Sequence, residues 1–289
     1  MADSEAEIRE LSEPSEMKDT VETLQSAFVG IDDIETIPDH IFTASAEHGI
    51  MLGAYDGGQQ VGFAMGIGEV GDGDSVYLHA TGVLPEYQDK SLGEELLREF
   101  ARNAEQRGLE HVSLTYDPLL GGNAKLNIGK AGGTTDTYKR NLYGEQENEA
   151  NSGESPTDRF EVDFDLTDSE VQAFLEGGEA DRSFRDPETV LEVEGKAPDV
   201  VNSSVEQTQE QAEEQPPRYE FTASPESEYV AVEIPRDLSE VKEAETEYEA
   251  RFATRAAFEG LFEDDYRVVD FISGGTEDFE NNTYILEKQ

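Results

Sequence analysis

The stretch Val83-Leu84-Pro85-Glu86-Tyr87-Gln88-Asp89-Lys90-Ser91-Leu92-Gly93-Glu94 is a polar turn with small residues. It follows the apolar run Val76 to Val83 and precedes Leu92, Leu96, Leu97, Phe100, Ala101 and Ala104 at helical spacing. A strand–turn–helix junction leaves backbone N–H groups unpaired at the helix N-terminus, where the dipole favours anions. Ser91 and Gly93 are small enough for a pyrophosphate to approach that backbone. The chemistry on offer is therefore a phosphate cradle. Arg251 and Arg255 stand four residues apart on a second helical stretch. They either bind a carboxylated ligand or pair with Glu247 and Glu259, each one turn away. Four His without close spacing and no Cys give no zinc pattern, so no metal is expected.

The surrounding pattern predicts the elements that position this turn. Ile8 and Leu11 mark a short strand. Ser12 and Pro14 then start a helix carrying Met17, Val21, Leu24 and Phe28 on one face. A second helix is expected over Pro38 to Glu47. Ile50 to Tyr55 and Gln60 to Ile67, joined by Asp56-Gly57-Gly58, read as a β-hairpin. After the motif helix, Gly108 is a left-handed cap and Val112 to Tyr116 a strand. A helix of about three turns is expected from Asn123 to Lys130, ended by Gly132-Gly133. Phe160 to Leu166 alternates as a half-buried strand. Residues 168–194 read as a connecting helix and loop. Residues 195–218, rich in Gln, Glu and Pro, read as a disordered linker. Residues 219–289 read as an α+β extension. It holds Tyr229 to Ile234, a helix from about Leu238 to Phe262, and strands Arg267 to Ile272 and Thr283 to Leu286.

Charge narrows the partners. Asp plus Glu number 67 against 21 Lys plus Arg, a formal charge of −46. A surface this acidic repels nucleic acid and anionic lipid, so neither is expected as a partner. Excess acid, scarce Lys and the absence of Cys and Trp resemble the proteins of salt-in halophiles, where molar salt screens self-repulsion. The other reading is an ordinary acidic protein with disordered tails. The opening residues carry no basic-then-apolar leader, and no apolar run approaches the ~20 residues of a membrane span. A cytoplasmic location is expected. The charge is uneven. Residues 50–143 hold 13 acids and eight bases, a net −5, which leaves −41 to the rest. Lys90, Lys125 and Lys130 within that segment are placed to approach phosphates.

The motif resembles the signature of the GNAT superfamily of acyl-CoA-dependent acyltransferases, [QR]-x-x-G-x-[GA] after a strand ending V-x-P-x-[YH]. Gln88, Ser91 and Gly93 occupy the three signature positions, and Val83, Pro85 and Tyr87 fit the lead-in. Ser91 departs from the usual Gly. The resemblance covers roughly residues 5 to 166. The first domain is therefore set at 1–167, with 168–194, 195–218 and 219–289 following. A narrower likeness, to a poorly characterised subfamily with a C-terminal extension, rests on three stretches. They are Thr115-Tyr116-Asp117-Pro118-Leu119 with Asn123-Ala124, Tyr138 to Gly144, and Pro156-Thr157-Asp158-Arg159. The implied fold is mixed α/β, with a central, mostly antiparallel sheet flanked by helices.

The resemblance implies acetyl-CoA, or another acyl-CoA, as co-substrate and a small amine or amino acid as acceptor. A homodimer is compatible with it. Val83 would supply the backbone oxyanion donor. Val83, Leu84, Gln88, Asp89, Lys90, Ser91, Leu92, Gly93 and Glu94 would line the cradle, with Asn123 either a ligand to the CoA arm or a helix N-cap. Many family members carry a Tyr four residues before the Gly that ends the later helix. That position here is Ile128, so Tyr138, Tyr143 or a water would serve as acid. His79 lies four residues before Val83, a spacing that puts both on one strand face, and would act as base or as a structural hydrogen-bonding group. Arg251 and Arg255 would suit a succinyl-type donor. A CoA-binding sensor or scaffold without turnover is the non-enzymatic alternative.

Overall fold

The computed structural model describes residues 6–27, 37–69, 73–88, 90–144, 146–148, 153–180, 187–194, 218–221, 225–236, 244–275 and 279–289. Phe28, Asp89 and nearly all of the expected linker lie outside them. In chain order the elements are β1 (Glu7–Glu10), α1 (Pro14–Ala27), α2 (Asp39–His48), β2 (Ile50–Asp56), β3 (Gln59–Glu69), β4 (Ser75–Val83), α3 (Leu92–Gln106) and β5 (His111–Tyr116). There follow α4 (Gly121–Ala124), β6 (Thr134–Lys139), β7 (Gln146–Asn148), β8 (Gly153–Ser155), β9 (Arg159–Asp165) and α5 (Ser169–Leu175). The last are β10 (Glu188–Glu194), β11 (Arg218–Phe221), β12 (Tyr229–Ile234), α6 (Ala244–Glu263), β13 (Tyr266–Ile272) and β14 (Asn282–Lys288).

The chain divides into two compact units that interleave along the sequence. The first gathers Met1–Thr115, Lys130–Gly133 and Val162–Asp181, and the second Tyr116–Gly129, Thr134–Glu161 and Arg182–Gln289.

In the first unit β1, β2, β3 and β4 pair antiparallel and β5 pairs parallel to β4. The predicted hairpin forms at Gly57 (φ 57°) and Gly58 (φ 88°), a primed turn that matches strand twist. The sheet is covered on both faces. One face packs on α1 and α2 through Met17, Leu24, Phe42, Met51, Phe63 and Met65. The other packs on α3, whose predicted stripe from Leu92 to Ala104 is buried throughout. Two strand glycines admit α3: a Cβ at Gly62 would meet Leu96, and one at Gly66 would meet Phe100 and Val76.

The second unit is built on the order β6-β13-β14-β12-β10-β11, with β10 parallel to β12. Phe160, Phe258 and Tyr284 interlock edge to face, with ring centres 4.7–5.5 Å apart. The expected mixed, mostly antiparallel architecture with a C-terminal α+β part is thus present. Two expectations need correction. The helix predicted from Asn123 starts two residues earlier, at Gly121, and continues from Lys125 to Lys130 as a π-helix. Part of the stretch read as loop before residue 194 is strand β10, held by pairing to β11 and β12. The expected long C-terminal helix is present from Ala244, and its expected start at Leu238 lies outside the described residues.

Candidate functional site

The cradle sits in the first unit. β4 ends at Val83, Leu84 is buried, and Pro85–Tyr87 forms a single 3-10 turn. The Leu84 N–H donates to the Val61 carbonyl at 2.9 Å, which makes the neighbouring Gly62/Val83 pair a non-hydrogen-bonded one. The Val83 N–H therefore points away from β3. Gln88 braces this peptide, its Nε2 donating to the Val83 carbonyl at 3.0 Å. Tyr87 fixes the turn from below by donating to Asp56 at 2.7 Å, and the Lys90 ammonium lies 4.7 Å from the Tyr87 ring centre.

Helix α3 begins at Leu92 behind Ser91, which stands in the left-handed region (φ 61°, ψ 7°) and makes no side-chain cap. The first intrahelical bond is Glu95 N–H to the Ser91 carbonyl. The N–H groups of Leu92, Gly93 and Glu94 thus have no intrahelical acceptor. A Cβ on Gly93 would meet nothing within 4 Å, so its missing side chain leaves open space at this helix end. The space suits an anion that must touch the backbone. The Ser91 departure also gains a physical meaning, since its φ is the kind that glycine adopts without cost.

Glu94 occupies the helix position from which a carboxylate usually reaches back to cap the N-terminus. Here it does not. Its Oε1 accepts from Arg98 at 2.7 Å and its Oε2 from Lys130 at 2.9 Å. Burial alone would raise the Glu94 carboxyl, but these two hydrogen-bonded cations hold it below the ordinary carboxylate range. Lys130 also pairs with Glu179 at 2.8 Å, and Arg98 donates to the Phe174 carbonyl of α5. Lys130, expected near phosphates, is thus engaged by two carboxylates.

A β-bulge reshapes the middle of β4. Met65 faces Ala80 and Gly66 faces Leu78, so His79 is the extra residue. Alternation reverses across it. Val76 lies on the α3 side with Phe100, while Ala80 joins the α1/α2 cluster and a Cβ on Gly82 would meet Phe63. Val83, opposite Gly62, is on the α3 side. The His79 ring lies 5.9 Å from that of Tyr77, whose strand partner Ile67 is on the other side. The expectation that His79 and Val83 share a face is therefore overturned. The parallel register of β4 with β5 runs from Ser75/His111 to Leu78/Leu114, and β4 continues past it through the bulge. His79 has open surface, yet desolvation holds its imidazole below the ordinary value of 6.5.

The remaining candidates fall in the second unit. Asn123 is exposed inside α4 rather than at its N-cap, which is Leu120. The Tyr138 hydroxyl donates to Asp158 at 2.9 Å, and burial followed by that carboxylate pushes its pKa far up. Asp158 is fully buried and also accepts two bonds of 2.8 Å from Arg255 and one of 3.1 Å from the Asn141 N–H. Burial would raise its carboxyl, and these donors hold it low. Arg251 pairs with Asp117 at 2.8 Å. Glu259, the expected partner of Arg255, pairs with Arg140 instead; the side chain of Glu247 lies outside the described residues. Tyr143 is half exposed beneath the Arg159 guanidinium, 5.3 Å from its ring centre.

Comparison with known proteins bears on the first of these units. Residues 17–120 match the Acetyltransferase (GNAT) family. The match contains the whole cradle. No curated protein matches the chain. Among solved structures, the ribosomal-protein-S18-alanine N-acetyltransferase from Escherichia coli is 19% identical, with a TM-score of 0.43 over 57% of this chain and 96% of its own. A GNAT family acetyltransferase from Streptococcus pneumoniae is 19% identical, with a TM-score of 0.45 over 55% and 98%. One from Brucella melitensis, in complex with acetyl-CoA, is 21% identical, with a TM-score of 0.36 over 43% and 83%.

Around the cradle the sequence missed the partners of Glu94. Arg98 was readable, being one turn away. Lys130 was not, because it is brought in from 36 residues downstream. Among the described residues no group of three or more His, Asp or Glu could hold a metal ion, and no helix is long and apolar enough to cross a membrane.

Proposed function

We propose that this protein transfers an acetyl group from acetyl-CoA to the amine of a small molecule or amino acid. The observation that carries the reading is the open, uncapped N-terminus of α3 at Gly93, beside a Val83 N–H turned out of the sheet. The N–H groups of Leu92, Gly93 and Glu94 receive the pyrophosphate. Gln88 braces the chain just after Val83 through the Val83 carbonyl, and the Val83 N–H meets the thioester oxygen as negative charge develops there. The acceptor amine attacks the thioester carbon, a C–N bond forms, the C–S bond breaks and the thiolate leaves. His79, on the α1/α2 side of the sheet and held neutral by desolvation, takes the ammonium proton from an amine that approaches from that side. A water returns a proton to the thiolate; the Tyr138 hydroxyl is committed to Asp158 within the second unit. A dicarboxylic donor is disfavoured because Arg251 and Arg255 are engaged by Asp117 and Asp158.

The second reading is a CoA-binding sensor, favoured by a buried Ile128 at the position of the family's tyrosine. The experiment is a calorimetric titration with CoA and acetyl-CoA in molar KCl, followed by thiol release with a panel of amines. Binding with turnover is the expected result. Binding without turnover across the panel supports the sensor, and no binding of CoA overturns both.

A further inference from the structure

The first turn of α3 carries its own competitor for the phosphate. Glu94 is the third residue of the helix, the position from which a Glu carboxylate folds back onto the N–H of the N-cap residue, here Ser91. A carboxylate there would add a negative charge beside the free N–H groups, where a pyrophosphate must come. The protein keeps the acidic residue but turns it aside. Arg98, one turn along the same helix, takes one oxygen, and Lys130, from the end of the π-helical segment, takes the other. The three side chains are mostly shielded, Glu94 at 16% and Arg98 at 13% exposure. Solvent screens such a cluster less than a surface pair.

We propose that Lys130 and Arg98 are positioning residues that hold the Glu94 carboxylate off the α3 N-terminus, and so keep the cradle open to the pyrophosphate of CoA. The inference rests on the acyl-CoA reading. Lys130 does not touch the ligand; it acts through Glu94. Glu179, its second carboxylate, also holds the ammonium, at 2.8 Å.

The test measures dissociation constants for CoA and for dephospho-CoA, which keeps the pyrophosphate but lacks the 3′-phosphate, by calorimetry in molar KCl. Wild-type protein that fails to bind CoA sinks the underlying reading, before any variant is compared. If it binds, Lys130→Gln should weaken both ligands alike by about five- to tenfold, as expected for an anion released at a helix N-terminus. Glu94→Gln should tighten both by about two- to fivefold. The double variant should return to within about twofold of the Glu94→Gln value, since Lys130 has nothing left to restrain. Lys130→Arg, which keeps the charge, should bind as wild type does and guards against a folding defect in Lys130→Gln. Unchanged affinity in Lys130→Gln overturns the proposal. So does a Glu94→Gln chain that binds no tighter than wild type, which would make the cluster a brace for the fold. A loss confined to CoA would move the effect to the 3′-phosphate and overturn it equally.

Discussion

Two carboxylates in this molecule, Glu94 and Asp158, are each gripped by an arginine and a second donor, and each is held below its ordinary pKa. They differ in what lies beside them. Asp158 is sealed in the second unit, with its oxygens bonded to Arg255, Tyr138 and the Asn141 N–H. Glu94 stands at a helix end where three N–H groups are open and a glycine leaves room. A perturbed ionisation therefore does not by itself mark a functional site; open donors beside it do. On the reading proposed above, the Asp158 cluster is structural and the Glu94 cluster guards a binding surface.

The comparison can be broken most directly at Asp158. Asp158→Asn leaves Arg255 buried without its partner and should cost about 3–5 kcal/mol in denaturant unfolding. CoA affinity at a temperature where the variant is folded should be unchanged. A stability within about 1 kcal/mol of wild type would remove the distinction between the clusters. The pH sign follows from the depressed carboxyl. Its contribution is present above the ordinary carboxylate range and is lost as pH falls through the lowered folded value. Asp158→Asn should lack that portion of the acid sensitivity.

Gly93→Glu should act in reverse. It fills the open space and adds charge, so CoA affinity should drop by more than about a hundredfold in a titration. The melting temperature should hold or rise, because a helical Gly is replaced by a better helix former. Retained affinity would show that the open helix end is not the binding surface.

His79 sharpens the contrast from outside both clusters. A base works unprotonated, so kcat/KM should fall as pH drops through an imidazole value below 6.5. His79→Gln should lower the rate by about a hundredfold and abolish that limb. A variant retaining the same limb assigns the titration to another group.

The smallest effect is expected at Ser91. A non-glycine residue in the left-handed region costs about 1–2 kcal/mol, and glycine recovers this less about 0.5–1 kcal/mol of chain entropy. Ser91→Gly should therefore gain about 0.5–1 kcal/mol in unfolding free energy. A loss of stability would mean that the serine hydroxyl is used.

What could be read from the chain followed the range of the physics. The cradle was legible because its parts are adjacent: a strand end, a polar turn and a stripe from Leu92 to Ala104. The hairpin and the Gly108 cap were legible because positive φ leaves a residue-type signature. The partners of Arg255 and Lys130 were not. The local i,i+4 rule offered Glu259 to Arg255, whereas the fold supplied Asp158 from 97 residues away. The N-cap reading of Asn123 failed because the helix starts earlier, with Gly121 and Gly122 inside it. The reversal at His79 was hidden because a bulge is set by pairing with β3, and alternation along β4 alone gives no sign of it.

That bulge has a consequence for how β4 can change. One inserted residue lets a single strand serve two hydrophobic layers in succession: Val76 for the layer under α3, Ala80 for the layer under α1 and α2. Below His79 the even-numbered residue belongs to one layer, and above it to the other. If His79 took a regular place in the ladder, Ala80 to Val83 would each turn to the wrong side. Leaving that one residue out of the ladder is what keeps both layers filled.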